Sequence, residues 1–430
     1  MNKMFKRISL VILVFFLYLP LSAVEIQGII FADYYGDVEP STPYENIRSR
    51  FYFQPAMSGS LFNYAVDFVI SANLFYDPVY DPSLIVSENI LKEAWLFIPF
   101  ENFDLSFGQK IVSPGMVDVF SPLNIVNSEH AYKLSLDDPY DGRRADLLAQ
   151  IVYYPNFDDS IELIYVPFPR PDYEPTNPVN MIYQYIDIDI LFNSDPYMID
   201  NGHSFFLAYN HISTGFDLQV NYACYIDQTP NFDLTDLTNA GTLTGDAESI
   251  YSRNHTFGGS YSTSFGGITL VEELAVNLTE DPDGTRPGIK NSDITFNSQI
   301  TGTLPGGTFA QMNIIYQYVI NFNKNGTVYS DNIDKFLIDE FNTYFNQPVQ
   351  NIAFVIAHLH NSFFHDRLYV ALNGGYFHPV IYLAPRIAFA ISDGMKIETG
   401  ADIKTGEPSD KFLARGNLMD NYFVRLKYEY

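Results

Sequence analysis

Residues 215 to 227 read GFDLQVNYACYID. Phe216, Leu218, Val220, Tyr222, Cys224 and Ile226 fall on one parity, and Asp217, Gln219, Asn221, Ala223, Tyr225 and Asp227 on the other. Successive side chains of a β-strand point to opposite faces, so such a segment has one side for oil and one for water. The same split governs residues 61 to 75, where Phe62, Tyr64, Val66, Phe68, Ile70, Ala72 and Leu74 oppose Asn63, Asp67, Ser71 and Asn73. It governs residues 309 to 322 again, with Gln311, Asn313, Gln317 and Asn321 against Met312, Ile314, Tyr316, Tyr318, Ile320 and Phe322. These runs exceed the usual strand of about 5 or 6 residues. They reach the length that a tilted strand needs to cross a bilayer.

Segments of this kind recur at approximately 25–35, 46–57, 61–75, 89–99, 102–112, 145–155, 159–168, 203–212, 215–227, 249–264, 267–279, 291–304, 307–322, 346–362, 366–377, 380–391, 395–405 and 419–430. Connections between them alternate in length. Every second one is short (Met57 to Leu61, Pro99 to Asn102, Pro155 to Asp159, Ile212 to Gly215, Phe265-Gly266, Leu304 to Gly307, Asn361 to Asp366, Ser392 to Gly394). Most of the others are long: 112–144, 169–202, 228–248, 323–345 and 406–418. Short turns at one membrane face with long loops at the other, and an even strand number, are the rule for bacterial transmembrane barrels. The expected fold is therefore all-β, an antiparallel transmembrane barrel of about 18 strands, with 16 to 20 open. The run MIYQYIDIDILF, residues 181 to 192, reads as a strand inside a long loop, and its Asp187 and Asp189 as an exposed edge rather than calcium ligands.

The chain ends and composition narrow the class. Residues 1–23 read as a signal peptide: Lys3, Lys6 and Arg7 precede an apolar stretch from Leu10 to Leu19, then Pro20 and the small-residue site Leu21-Ser22-Ala23. The barrel then occupies 24–430, and cleavage would make the formal charge of -27 three units more negative. That acidity argues against nucleic acid and anionic head groups as partners. With 32 Tyr and 36 Phe the chain is too aromatic to be a disordered acidic protein. The single cysteine, Cys224, excludes an intrachain disulfide.

In the last residues, NYFVRLKYEY, Tyr422, Val424, Leu426, Tyr428 and Tyr430 share a face and the chain stops on an aromatic. This ending resembles that of Gram-negative outer-membrane porins, whose last residue is usually Phe. A narrower likeness, to one subgroup of large porins, lies in Gly108-Gln109-Lys110, Pro114-Gly115, Asp118 and Pro122-Leu123-Asn124. That subgroup's tryptophan is absent here and its arginine is replaced. The resemblance implies an outer-membrane location, membrane lipids and a lipopolysaccharide-type outer leaflet as surroundings, the barrel-assembly machinery as a partner and small solutes as cargo. A homotrimer is one assembly open to it. No cofactor, metal or catalytic residue is expected.

A barrel of this width is too wide for side chains alone to fill. After the break at Ser113-Pro114-Gly115 come Met116, Val117, Val119, Phe120, Leu123, Ile125 and Val126. Exposing them to water would cost about 25 cal/mol per Å². The loop 112–144 is therefore expected to fold into the lumen and narrow it, packing its apolar side on a tyrosine-rich wall. Asp118, Glu129, Asp137, Asp138 and Asp141 would face the passage, and Arg143 and Arg144 would tie down the returning end. Lys110 stands where the loop begins. On the facing strands Arg48, Arg50, Arg367, Arg386, Lys396, Lys404, Arg425 and Lys427 fall on inward parities and form a basic arc once the last strand joins the first.

The expected function is a passive channel for small polar or charged solutes. The alternatives are a transporter for hydrophobic compounds and a non-conducting adhesin or structural barrel that binds through its acidic loops. Asp172 and Glu174 belong to such a loop and are expected to shape access at low salt. His255 with Ser252 or Ser262 lacks the spacing of a catalytic set. His358 and His360 share a strand face, as metal ligands do, but near a short turn they read as interfacial residues.

Overall fold

The computed structural model describes residues 21–37, 48–62, 65–76, 90–129, 142–172, 199, 202–233, 238–239, 243–244, 248–286, 288–322, 347, 349–377, 380–405 and 421–430. Residues 1–20 of the expected leader, 1–23, and the segment 181–192 lie outside them. Eighteen antiparallel strands form one closed sheet. In order they are β1 Leu21–Asp37, β2 Arg48–Leu61, β3 Val66–Ala72 continued by Leu74–Tyr76, β4 Leu91–Pro99, β5 Phe103–Lys110 and β6 Asp146–Tyr153. Then come β7 Asp159–Val166, β8 Ser204–Ser213, β9 Phe216–Ile226, β10 Arg253–Phe265, β11 Ile268–Leu278 and β12 Asp293–Leu304. The last six are β13 Thr308–Val319, β14 Asn351–Phe363, β15 Leu368–Phe377, β16 Val380–Ser392, β17 Met395–Thr405 and β18 Asn421–Glu429.

Each strand pairs with the next, and β18 closes on β1 from Ile29↔Glu429 to Asp37↔Asn421. Closure removes the unpaired edges that a bilayer does not tolerate. Pairing in β1 reaches back to Leu21↔Leu61 and Ala23↔Ser60, ahead of Val24.

The short turns gather at one end of the barrel and the long connections at the other. Two-residue hairpins need positive φ, which Gly266 (57°) and Gly267 (84°) supply between β10 and β11. One turn differs from the expectation. The sequence around Ser58-Gly59-Ser60 suggests a turn, but β2 runs on to Leu61 and the reversal comes between Phe62 and Ala65. Ser58 and Ser60 are small inward residues there, and the Ser60 hydroxyl donates to Asp67 across the hairpin at 2.6 Å.

The alternation sorts the two faces. Outward Phe107 and Val220 are each 55% exposed, whereas Gln219 and Asn221, the inward neighbours of Val220, are 4% and 5% exposed. Arginine at the midplane of a lipid-facing strand costs about 2–4 kcal/mol. Val220→Arg, mid-strand in β9, is therefore expected to lower unfolding stability in lipid vesicles by about that amount. An unchanged denaturant midpoint would mean that this face does not meet lipid.

Candidate pore constriction

After Lys110 the chain leaves the wall. Val112 N donates to Asn127 Oδ1 at 2.7 Å, and Asn127 Nδ2 donates back to the Lys110 carbonyl at 3.0 Å, so the outgoing and returning strands of the loop are clasped together. Val112, Ile125 and Val126 pack against inward Leu148, Ile164, Val166, Phe206, Ala208 and Ala223 of β6 to β9, with Tyr225 beside them. The loop is thus folded inward, but it beds on a largely aliphatic patch rather than a tyrosine-rich wall. Of the tyrosines on these strands Tyr225 alone shares the inward parity of Ala223, while Tyr153, Tyr165, Tyr209 and Tyr222 have outward parity.

The far part of the loop reaches a different wall. Glu273 on β11, almost fully buried, accepts from the backbone N–H of Met116, from Val117 N at 2.9 Å, from Ser121 Oγ at 2.5 Å and from Ser260 Oγ at 3.1 Å. On β12, Asn297 Nδ2 donates to the carbonyls of Val119 (2.8 Å) and Phe120 (3.1 Å). Gln299 accepts from Asp118 N at 3.0 Å and donates to Asp118 Oδ2 at 2.8 Å. Phe120 lies edge-on to Phe354 of β14, ring centroids 5.7 Å apart. Leu123, 0% exposed, sits where a Cβ on Gly258 would strike its Cδ2, so the glycine opens the seat. Buried backbone groups need partners, and Glu273, Asn297 and Gln299 of the inner wall supply them to Met116, Val117, Asp118, Val119 and Phe120.

No motif in the sequence points directly to Glu273. Its only signal is a carboxylate on an inward parity with Val271 and Ala275, where no neighbouring cation accounts for it.

Strands β16 to β18, β1 and β2 form the opposite arc. Arg50 grips Asp33 with two bonds, Nε to Oδ1 at 3.0 Å and Nη2 to Oδ2 at 2.6 Å. Arg425 holds the same Asp33 at 3.2 Å and Glu398 at 3.4 Å, and Arg386 holds Asp402 at 2.7 Å. Lys427 and Lys396 meet Glu429 at 2.8 and 3.7 Å. The guanidinium groups lie over rings: Arg50 over Tyr35, Arg386 over Phe423 and Arg425 over Phe31.

The basic residues do share this arc, but as a ladder of ion pairs whose acids belong to the same wall. Among the described residues each base of this arc has an acid partner on it. Arg48 and Lys404 occupy inward register positions opposite Tyr35 and Tyr382, and their side chains lie outside the described residues. Arg367 stands apart, in the turn that joins β14 to β15. Lys110 points into the lumen, donating to Gln150 at 2.7 Å and lying over the Trp95 ring.

On the long-loop side the loop's return is fastened by a backbone bridge and hydrogen bonds. The backbones of Glu129 and Arg143 pair as an isolated antiparallel β-bridge, Arg143 reaches the Ser113 hydroxyl, and Arg144 donates to the Pro171 carbonyl at 2.7 Å. Asp172 accepts from Glu129 N at 2.8 Å and from Thr229 Oγ1 at 2.8 Å. It is therefore part of the clasp, not of an outer acidic field. Asp137, Asp138, Asp141 and Glu174 lie outside the described residues.

Burial, then the Glu129 charge, push the Asp172 carboxyl up to about 7, and burial also raises Glu129 despite Arg143. Asp227 raises Lys290, 3.6 Å away. A carboxyl raised in the folded state binds protons there that it would lose when released. Its contribution is greatest below the ordinary carboxylate range and is lost as pH rises through about 7. Proteolysis of the loop stem is expected to quicken between pH 5 and pH 8, and Asp172→Asn to flatten that rise. A stem whose cleavage ignores pH would remove the clasp's role.

A closed 18-strand barrel, apolar outside and polar inside, is crossed by an inward loop. Its fold is that of the outer-membrane porins. Superposition on Pseudomonas aeruginosa OccK11 (OpdR) gives a TM-score of 0.50 at 10% identity, covering 95% of this chain and 96% of that one. Pseudomonas aeruginosa OccK5 (OpdH) gives 0.49 at 10% identity, with 95% and 98% covered. Salmonella typhi OmpF, in complex with daunomycin, gives 0.47 at 9% identity, with 95% and 97% covered. No protein-family model and no curated protein matches the sequence. Identity this low speaks for the porin fold alone.

His255 faces outward beside Tyr222, while Ser262 faces inward and Ser252 accepts from Asn231, so no histidine–serine pair forms among them. His358 and His360, expected at the interface, face the lumen. Their register partners Gln311, Asn373 and Ala371 belong to the inward set.

Proposed function

We propose that the chain is a passive diffusion channel of the outer membrane for small polar or charged solutes, narrowed by residues 111–129. The observation that carries this reading is the loop seated across the lumen on Glu273, Asn297 and Gln299, with the Arg50–Arg425–Arg386 ladder on the arc it leaves uncovered. A solute passing between them meets amide and hydroxyl groups on one side and closely alternating charges on the other. Such a lining favours dipolar, hydrogen-bonding solutes and repels apolar ones, as rings of charged side chains do in other pores. The paired charges predict weak selectivity between anions and cations. On this reading residues 1–23 are removed on export, and the C-terminal strand ending at Tyr430 is read by the barrel-assembly machinery.

Conductance of the refolded protein in planar bilayers, with the reversal potential in a salt gradient, tests the proposal. Steady, weakly selective conductance is expected. Replacing Arg48 and Arg50 together by Ala should raise the cation preference, because Asp33 then keeps only Arg425. A barrel that refolds yet never conducts, or arginine variants without effect at any salt, would count against it.

A further inference from the structure

Two histidines of β14 stand apart from the constriction. His358 lies in register between Gln311 of β13 and Asn373 of β15, and His360 is the next inward residue toward the short turn. Nδ1 of His358 meets Oδ1 of Asn373, and Nε2 of His358 lies 2.9 Å from Nδ1 of His360. An amide oxygen only accepts, so His358 donates from Nδ1 and its Nε2 carries the lone pair. His360 then donates Nδ1–H to that lone pair. Phe309 and Tyr369 flank the His360 ring, centroids 4.8 and 5.3 Å away. Gln311 spends its amide nitrogen on Gln299 and Asn313. Its oxygen has no partner among the described residues.

We propose that His358 and His360 form a lumenal binding site for a divalent transition-metal ion of the zinc, copper or nickel kind. Two nitrogens at about 2.0–2.1 Å from a tetrahedral zinc ion stand about 3.3 Å apart, and at right angles, as on tetragonal copper or nickel, about 2.9 Å apart, so zinc needs a small opening of the pair. The two ring nitrogens already stand at 2.9 Å. The metal takes the place of the bridging proton: the His360 proton moves from Nδ1 to Nε2, both facing nitrogens become lone-pair donors, and the count of protons is unchanged.

Asn373 holds the other His358 nitrogen protonated, which is how an outer-shell acceptor fixes the tautomer of a metal-bound histidine. The Gln311 oxygen and water complete the shell. Imidazole suits zinc, copper and nickel and does not suit magnesium or calcium. The flanking rings hold His360 in place, so little order is lost on binding.

The test is calorimetric titration of zinc chloride into the refolded barrel in detergent, with magnesium chloride as the control. It measures binding and so does not depend on whether the barrel conducts. One zinc ion per chain and no magnesium binding are expected. His358→Ala and His360→Ala should each weaken zinc at least about tenfold, and Asn373→Ala by about 10–100-fold as an outer-shell loss. Copper bound in place of zinc should show coupling to two nitrogens by electron paramagnetic resonance, reduced to one in either histidine variant. Each variant's fold is checked by its heat-dependent gel mobility. Absence of zinc binding, or binding that both histidine variants leave unchanged, would overturn the site.

Discussion

Glu273→Ala is expected to give a channel with higher unit conductance and an inner loop open to proteolysis. The carboxylate accepts from two loop N–H groups and the Ser121 hydroxyl. Hydrogen bonds to a charged acceptor contribute about 1.5–3 kcal/mol each, and a buried donor left unmet costs about 1–3 kcal/mol. Losing the set should weaken the seat by roughly 3 kcal/mol or more. Glu273→Gln keeps one accepting oxygen and should fall between wild type and Ala. Single-channel recordings on the three proteins check the order, and equal conductances would show that Glu273 does not seat the loop. The outer strands are untouched by either change, so the barrel should refold normally.

Asp33→Asn should turn weak selectivity into anion selectivity. Asp33 is the shared partner of Arg50 and Arg425, and its side chain is fully buried between them. Removing one member of a buried ion pair leaves charge uncompensated, at about 3–5 kcal/mol. The reversal potential in a salt gradient should therefore shift toward the anion limit, and the variant should unfold at lower denaturant. A variant with wild-type selectivity would show that the ladder lies off the ion path. High salt should shrink the shift only in part, because charges within the narrow part are screened less than exposed ones.

All eighteen strands are legible in the sequence, because a membrane barrel writes its two solvents into one side-chain parity. Only the β2–β3 reversal is displaced, since Ser58-Gly59-Ser60 has the composition of a turn while serving as small lumenal residues. The inward fold of the loop is legible too, from the apolar run Met116 to Val126. Its bed is not. The contact of Val117 with Glu273 joins residues 156 apart in sequence, and which inward wall the loop reaches depends on where closure sets the strands.

Closure likewise hides the fate of the arginines. Asp33 meets Arg50 through β2 and Arg425 through β18, and both contacts follow from register. Alternation reports which face a residue takes, but not its opposite number. Asp172 misleads for a related reason. An aspartate at the foot of an acidic loop resembles a surface charge until Glu129 and Thr229 close over it.

The central claim is that residues 111–129 narrow the passage. It is tested most directly by replacing 114–124 with a short Gly-Ser linker and comparing unit conductance with wild type in the same salt. The linker variant, refolded to the same barrel as judged by gel mobility, should carry a clearly larger current per channel and admit larger neutral polymers. Equal currents and equal polymer cut-offs would mean that the loop does not set the width of the pore.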